Sequence, residues 1–184
     1  MEKTDWNFDF TKLPNWEVRD SIPYVYDNFI EIPQSDAICC IYSIVEVTMC
    51  NYEGFLAIIK NKRNPTLFLN ITDGFTFCDN ISVSPKGNII FLQPNIYYEQ
   101  KNITKSPILI IDIEKSVFSY IKTDNVNPCY KIKEVKENIF KIDADMYQVK
   151  HDKELYKLSH KKIQIDHLKW HSFADLALLP NFVE

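Results

Sequence analysis

The sequence predicts a mainly β fold of antiparallel strands, arranged as an array of small sheets with one short C-terminal helix. Apolar and polar residues alternate in residues 41–48, and alternation with a period of two is typical of strands. Helical patterns are scarce outside residues 166–184. A faint repeat places Ile38, Ile89 and Ile139 at equivalent positions about 50 residues apart, a period typical of stacked sheet units.

Composition predicts a single cytoplasmic domain. The chain of 184 residues, 46% of them hydrophobic, is long enough to bury a core without disulfide bonds. Its five cysteines are odd in number and include no Cys-x-x-Cys pair, so we expect free thiols in a reducing compartment. No apolar run reaches the ~18 residues of a membrane span, and we see no secretion signal.

Within this single domain, residues 1–184, punctuation by proline and turn residues separates five segments. They are an aromatic-rich capping segment at 1–28, three repeat-like β units at 29–72, 77–123 and 130–165, and a C-terminal helical cap at 166–184. The capping segment is expected to pack against the units, because its aromatic side chains need burial.

The first unit is predicted to contain four strands, at residues 29–36, 37–48, 55–60 and 66–71. Asp73-Gly74 follows these strands and is a strong hairpin signal. A tight hairpin there would pair residues 67–71 with 75–79. The fold would then be a continuous antiparallel meander or barrel, and this alternative stays open beside the array of separate sheets.

The second unit carries the clearest local signals. Strands are predicted at residues 80–84, 88–93, 108–113 and 117–122. The first two are joined by Ser84-Pro85-Lys86-Gly87, in which proline fits the second position of a type I turn and glycine the fourth. Residues 108–113 are almost continuously apolar, which predicts a strand buried on both faces.

This second unit resembles a blade of the β-propeller proteins. Residues 81–92 match the segment "strand, Ser-Pro-x-Gly, strand", and residues 108–121 resemble the next two strands of such a blade. The other two units match in strand order and period alone, and the Trp-Asp and Gly-His pairs of WD repeats are absent. The resemblance implies an incomplete, roughly three-blade array, because closed propellers have at least four blades.

The third unit and the C-terminal cap complete the pattern. Strands are predicted at residues 130–135, 138–143 and 155–158. Residues 155–158 would also permit a helical turn, but we favour a strand because the third unit otherwise lacks its later strands. In the cap, Ser172 is expected to begin a short helix through Leu179, and Pro180 is expected to end it.

Catalytic signals are weak, so the sequence predicts no enzyme, no cofactor and no metal. Only three glycines occur, which excludes the glycine-rich loops that bind dinucleotides and phosphates. His167 and His171, four residues apart, would share a face on a helix and could bind a metal with Asp166 or Asp175. The carboxylates of residues 143 and 145 could join such a site, so a metal-dependent hydrolase stays as an alternative.

Charge is distributed unevenly along the chain. Residues 1–53 contain ten acidic and three basic residues, whereas the whole chain has a net charge of −4. An acidic surface disfavours nucleic acid and attracts a basic protein. The lysines at 131, 133 and 136 are interrupted by glutamates, which predicts a solvated strand face and no nucleic-acid site.

Propeller geometry predicts where a partner would bind, because several connectors of such an array emerge on one face. The connectors place tyrosines beside carboxylates, and tyrosine is enriched at binding hot spots. The predicted partner-binding residues are Tyr52, Glu53, Asp73, Tyr97, Tyr98, Glu99, Asp124, Asp145 and Tyr147.

A small, acidic, glycine-poor β protein without catalytic signals is similar, as a class, to the immunity proteins of bacterial toxin systems, including contact-dependent growth inhibition. That similarity implies an inhibitor that covers the active site of a basic toxin, such as a nuclease, with acids that mimic phosphates. The alternative is a scaffold or interaction module that completes its open sheet by self-association.

Overall fold

We describe the protein from a computed structural model. The described residues are 29–32, 37–48, 51–60, 64–70, 75–78, 81–123, 130–144 and 153–184, and for the strands between residues 29 and 78 only the backbone pairing is described. The strands are β1 (Phe29–Ile32), β2 (Ala37–Thr48), β3 (Asn51–Lys60), β4 (Asn64–Asn70), β5 (Phe75–Cys78), β6 (Ser82–Val83), β7 (Ile89–Leu92), β8 (Pro94–Tyr98), β9 (Ile103–Lys105), β10 (Ile108–Asp112), β11 (Val117–Ile121), β12 (Tyr130–Lys136), β13 (Ile139–Ala144), β14 (Lys162–Gln164) and β15 (His171–Ser172).

The helices in the described residues are short. They are the α-helices α1 (Lys153–Ser159) and α2 (Leu179–Val183) and the 3₁₀ segments Glu99–Lys101, Ile165–His167 and Phe173–Leu178. None of the helices in the described part of the chain has the length and apolar character needed to cross a membrane.

The described strands form three antiparallel sheets, which confirms the predicted mainly β, antiparallel class. The seven-stranded sheet has the order β1-β2-β3-β5-β8-β9, with β4 beside β3. The five-stranded sheet has the order β15-β11-β10-β7-β6, and the three-stranded sheet has the order β12-β13-β14. Each described sheet keeps edge strands that have a described partner on one side alone, so the described strands do not close into a barrel.

The region around Asp73-Gly74 differs from a simple hairpin. Strand β4 pairs with β3 from Phe55 onward, whereas β5 pairs with Asn51 and Tyr52 at the beginning of β3. Both strands therefore lie along the same neighbour, and the described pairings do not join them to each other. Asp73 and Gly74 themselves lie outside the described residues.

The five-stranded sheet contains the four strands predicted for the second unit. Strands β6, β7, β10 and β11 follow one another as an antiparallel meander. The first turn forms as predicted, since the Gly87 amide donates to the Ser84 carbonyl at 2.8 Å and the Ser84 hydroxyl accepts the Ile89 amide at 3.1 Å. Gly87 has a φ of 70°, a left-handed value that favours glycine over residues with a Cβ.

One hairpin of this second unit belongs to another sheet. Strands β8 and β9 lie between β7 and β10 in the sequence, yet β8 pairs with β5 of the seven-stranded sheet. Residues of the unit predicted at 77–123 are thus divided between two sheets. The hairpin links these sheets covalently, because the chain leaves the five-stranded sheet at β7 and returns at β10.

Burial of the five-stranded sheet on both faces creates two hydrophobic cores. One core contains Ile90, Leu92, Leu109, Ile111 and Phe118 and is covered by Phe173, Leu176, Leu179 and Val183 of the C-terminal segment. The other contains Ile89, Phe91, Ile108 and Ile110 and is covered by Phe140, Ile142 and Ile163 of the three-stranded sheet. Residues of one strand alternate between these cores, which confirms the predicted two-sided burial of residues 108–113.

Helix α1 corrects the prediction of a strand at residues 155–158. The segment Lys-Glu-Leu-Tyr-Lys-Leu-Ser forms an α-helix from Lys153 to Ser159. Its lysines, glutamate and leucines are good helix formers, and it lacks the β-branched residues that favour strands. The third strand of the last sheet is instead β14, which pairs with β13.

The C-terminal segment begins as predicted and continues further. The Ser172 hydroxyl caps the 3₁₀ segment by accepting the Ala174 amide at 3.3 Å. Pro180 does not end the helix, because it lies in the first turn of α2, where a missing amide hydrogen costs nothing. The segment therefore reaches far enough to place Val183 in the core at 0% exposure.

We expect the two-sided core to dominate stability. Ile111 is fully buried, so Ile111→Ala should lower the free energy of unfolding by about 2–5 kcal/mol. Ile103→Ala is the matched control, because Ile103 is 39% exposed on an edge strand, and it should change stability by less than about 1 kcal/mol. Urea denaturation followed by circular dichroism measures both, and equal effects would contradict this packing.

Candidate functional site

The β8–β9 hairpin carries three of the predicted partner-binding residues. Tyr97 and Tyr98 are the last residues of β8, and Glu99 begins the 3₁₀ segment that connects it to β9. Asn102 closes the connection with a φ of 49°, and its amide donates to the Glu99 carbonyl at 3.1 Å. Asparagine tolerates this left-handed conformation better than most residues, so the tight connection suits the sequence.

Tyr98 faces the interior, contrary to the prediction that it lies on an exposed connector. Its ring is partly buried against the first hydrophobic core, and its hydroxyl donates to the Pro180 carbonyl at 2.7 Å. Burial raises the pKa of the Tyr98 hydroxyl, and the nearby Glu184 carboxylate raises it further. Tyr98 therefore fixes the hairpin to the C-terminal helix.

Two lysines of the hairpin strengthen this attachment. Lys101 pairs with the Glu184 carboxylate, and Lys105 donates to the Glu184 backbone oxygen at 3.2 Å. The hydrogen bond from Lys101 is the main cause of a lowered pKa of the Glu184 carboxyl. The ion pair is exposed and contributes little energy by itself, but together with Tyr98 it sets the position of the hairpin.

The opposite side of the hairpin is open to solvent. Tyr97 and Thr104 are paired across the two strands and share this outward side, and Tyr97 is 48% exposed. The Tyr97 hydroxyl donates to the Asn102 side-chain oxygen at 3.0 Å. Glu99 is exposed beside them at the tip. We call Tyr97, Glu99, Asn102 and Thr104 the hairpin surface.

The other predicted partner-binding residues are not in described connectors. Tyr52 and Glu53 lie within β3, opposite Glu46 and Val45 of β2, because the strand already begins at Asn51. Tyr52 also pairs with Phe77 of β5, which is the neighbour of β8 in the same sheet. Asp73, Asp124, Asp145 and Tyr147 lie outside the described residues.

The two histidines do not share a helix, contrary to the geometry considered for a metal site. His167 ends the 3₁₀ segment Ile165–His167, and His171 begins β15. The His171 ring packs beside the rings of Phe118 and Phe182, with centroids 5.4 and 4.8 Å away. Across the described residues, no three histidine, cysteine, aspartate or glutamate side chains are close enough to hold a metal ion together.

Both histidines instead line a groove that sequence reasoning did not find. The groove has a volume of about 600 Å³ and lies beside β11, β14 and the connection between β14 and β15. Its lining residues are Ser119, Tyr120, Ile121, Lys122, Lys161, Lys162, Ile163, Gln164, His167, Leu168, Lys169 and His171. We call it the basic groove, because its described lining has four lysines and no carboxylate. The clustering of Lys161, Lys162 and Lys169 around His167 was its only visible signal.

Comparisons with known proteins found no relative of this chain. No protein family, no characterised protein and no solved structure matches this chain. Function must therefore be inferred from the geometry and charges of the described residues.

We expect Tyr98→Phe to lower the free energy of unfolding by about 0.5–1.5 kcal/mol at neutral pH, because the Pro180 carbonyl loses its donor. The pKa of Tyr98 in the folded protein is raised above 10.0. The contribution of its hydroxyl to the free energy of unfolding is therefore present below pH 10.0 and is lost as the pH rises through the pKa of the folded protein. The difference from the unmodified protein should therefore shrink at alkaline pH.

Tyr97→Phe is the matched control for this substitution, because among the described residues the Tyr97 hydroxyl bonds to the exposed Asn102 alone. Urea denaturation at pH 7 and at pH 10.5 to 11 measures both variants. Equal losses for the two variants at pH 7, or a difference for Tyr98→Phe that grows with pH, would contradict the interior role of Tyr98.

Proposed function

We propose that this protein is a protein-binding inhibitor, an immunity protein of a bacterial toxin system that acts in the cytoplasm by covering the active site of a basic, nuclease-type toxin. The observation that carries the proposal is the hairpin surface. It presents an exposed tyrosine, an exposed threonine and a carboxylate on an edge that the rest of the fold holds in place.

Preorganisation favours tight binding at such a surface. The hairpin is fixed from behind by the Tyr98 hydroxyl and by the contacts of Lys101 and Lys105 with the C-terminus. A surface that is already ordered loses less conformational entropy when it binds. Tyr97 can therefore act as a rigid aromatic anchor, the residue type that dominates binding energy in many interfaces.

The position of β9 adds a second mode of contact. Strand β9 is the last strand in the described order of the seven-stranded sheet, so its outer edge has no described strand beside it. An extended segment of a partner can pair with such an edge through backbone hydrogen bonds. The exposed side chains at 103 and 104 would then contribute specificity.

Charge favours a basic partner. The excess of acidic residues lies in residues 1–53. The described part of this region forms β1, β2 and the beginning of β3, which belong to the same sheet as the hairpin. Glu99 at the tip has no cationic partner within the described residues. Carboxylates around an aromatic anchor speed the encounter with a basic protein and set its orientation. In a nuclease, they would occupy the place of substrate phosphates.

We further propose that the three sheets form an open, propeller-like array in which the five-stranded sheet contains the blade-like unit. The meander of β6, β7, β10 and β11, with its Ser-Pro-x-Gly turn, supports this interpretation. The β8–β9 hairpin would then be an insertion between the second and third strands of that unit, extended to reach a partner.

The first experiment examines the gene next to the one that encodes this chain. The proposal expects a toxin with a basic terminal domain there, whose expression stops growth and whose effect is removed by co-expression of this protein. The purified pair should form a one-to-one complex. Failure to restore growth, or the absence of a toxin gene, would overturn the inhibitor proposal.

Substitutions in the hairpin surface then test the site. Tyr97→Ala should weaken the complex about thirtyfold, the size of a hot-spot loss of ~2 kcal/mol. Glu99→Lys should mainly slow association and reduce its dependence on salt. Glu114→Lys makes the same charge change at an exposed residue of the β10–β11 connection, outside the hairpin surface, and should leave binding unchanged.

Surface plasmon resonance at two salt concentrations separates these effects. Equal affinity and association rate for Glu99→Lys and Glu114→Lys would move the binding site away from the hairpin. A dimer that forms with increasing concentration and excludes the toxin would favour the alternative of a self-associating scaffold.

A further inference from the structure

The basic groove is a second site, and its existence does not depend on the proposed inhibitor function. We propose that it binds a small molecule of nucleotide size that carries phosphate groups. The groove lies where the five-stranded and three-stranded sheets meet, on residues of β11 and β14 and of the chain between β14 and β15.

The charge of the groove is the first reason. Lys122, Lys161, Lys162 and Lys169 line it, and none of them has an ion-pair partner within the described residues. Four lysines elsewhere in the described chain, at 86, 101, 115 and 133, are paired with carboxylates. A cavity whose described lining residues concentrate positive charge, with no carboxylate among them, raises the local concentration of anions.

Strand register adds an independent reason. Lys162 of β14 lies directly opposite Lys141 of β13. Like charges in directly opposed positions of a sheet repel and lower stability. A bound anion would offset this repulsion, and sites that break a local stability rule are often functional.

The lining of the groove is rigid. Ile121 and Ile163, at 9% and 2% exposure, line the groove and belong to the second hydrophobic core. Tyr120 is held by a hydrogen bond from its hydroxyl to the Phe182 carbonyl at 3.1 Å, and β15 holds His171 beside β11. The lysines are thus anchored to a fixed frame, as a small-molecule site requires.

Size and donor type define the ligand. A volume of about 600 Å³ falls within the ~300–1,000 Å³ typical of small-molecule sites. The cationic side chains among the described lining residues are lysines, and no arginine is among those residues. Lysine binds phosphate as a point charge on a flexible side chain, without the planar geometry that arginine imposes. Four lysines therefore match a compact molecule with several charged phosphate oxygens better than a single carboxylate.

Calorimetric titration of the full chain at low salt tests this inference with four probes: ATP, pyrophosphate, adenosine and citrate. We expect ATP and pyrophosphate to bind at one site per chain, with a Kd that increases with salt, and adenosine and citrate to bind at least about tenfold more weakly. The double variant Lys162→Gln and Lys169→Gln should weaken ATP binding about tenfold or more.

The matched control is the double variant Lys131→Gln and Lys136→Gln, which removes the same charge from exposed residues of β12 outside the groove. It should change the Kd of ATP by less than about twofold. Equal losses for the two double variants, or citrate binding as tightly as pyrophosphate, would overturn the proposal. The proposal would also be overturned if the affinity of the protein for single-stranded oligonucleotides kept increasing with their length, because that result indicates a nucleic-acid surface.

Discussion

Burial of the five-stranded sheet on both faces is the constraint on which the other described features depend. Each of its central strands sends alternate side chains into two different cores, and Ile110 and Ile111 are both fully buried. Burying such a side chain contributes ~1.5–3 kcal/mol, so covering both faces is strongly favoured. The C-terminal segment must therefore pack on one face and the three-stranded sheet on the other.

The two candidate sites follow from these two coverings. On one face, α2 is close enough for Tyr98 and Lys101 to bind it, which positions the hairpin surface. On the other face, β14 packs through Ile163 and brings Lys161 and Lys162 beside the end of β11, which creates the basic groove. An acidic protein thus carries a local basic site, since the charges are separated by the packing of the sheets.

The sequence predicted best those features that depend on neighbouring residues. The Ser84–Gly87 turn is determined by local chemistry, and the two-sided burial of β10 follows from its continuous apolar run. Tyr98 was predicted to be exposed because its partner, Pro180, is distant in the sequence. The basic groove was missed for the same reason, because its lysines come from separate segments that only tertiary packing brings together.

Hydrogen exchange followed by mass spectrometry tests most directly whether the doubly covered sheet organises the molecule. The amides of β7 and β10 should exchange only through global unfolding and have the highest protection. The β8–β9 hairpin and α2 should open together, with one shared free energy, because each holds the other. Amides of β10 that exchange as fast as those of the exposed strand β12, or a hairpin that opens independently of α2, would contradict the account.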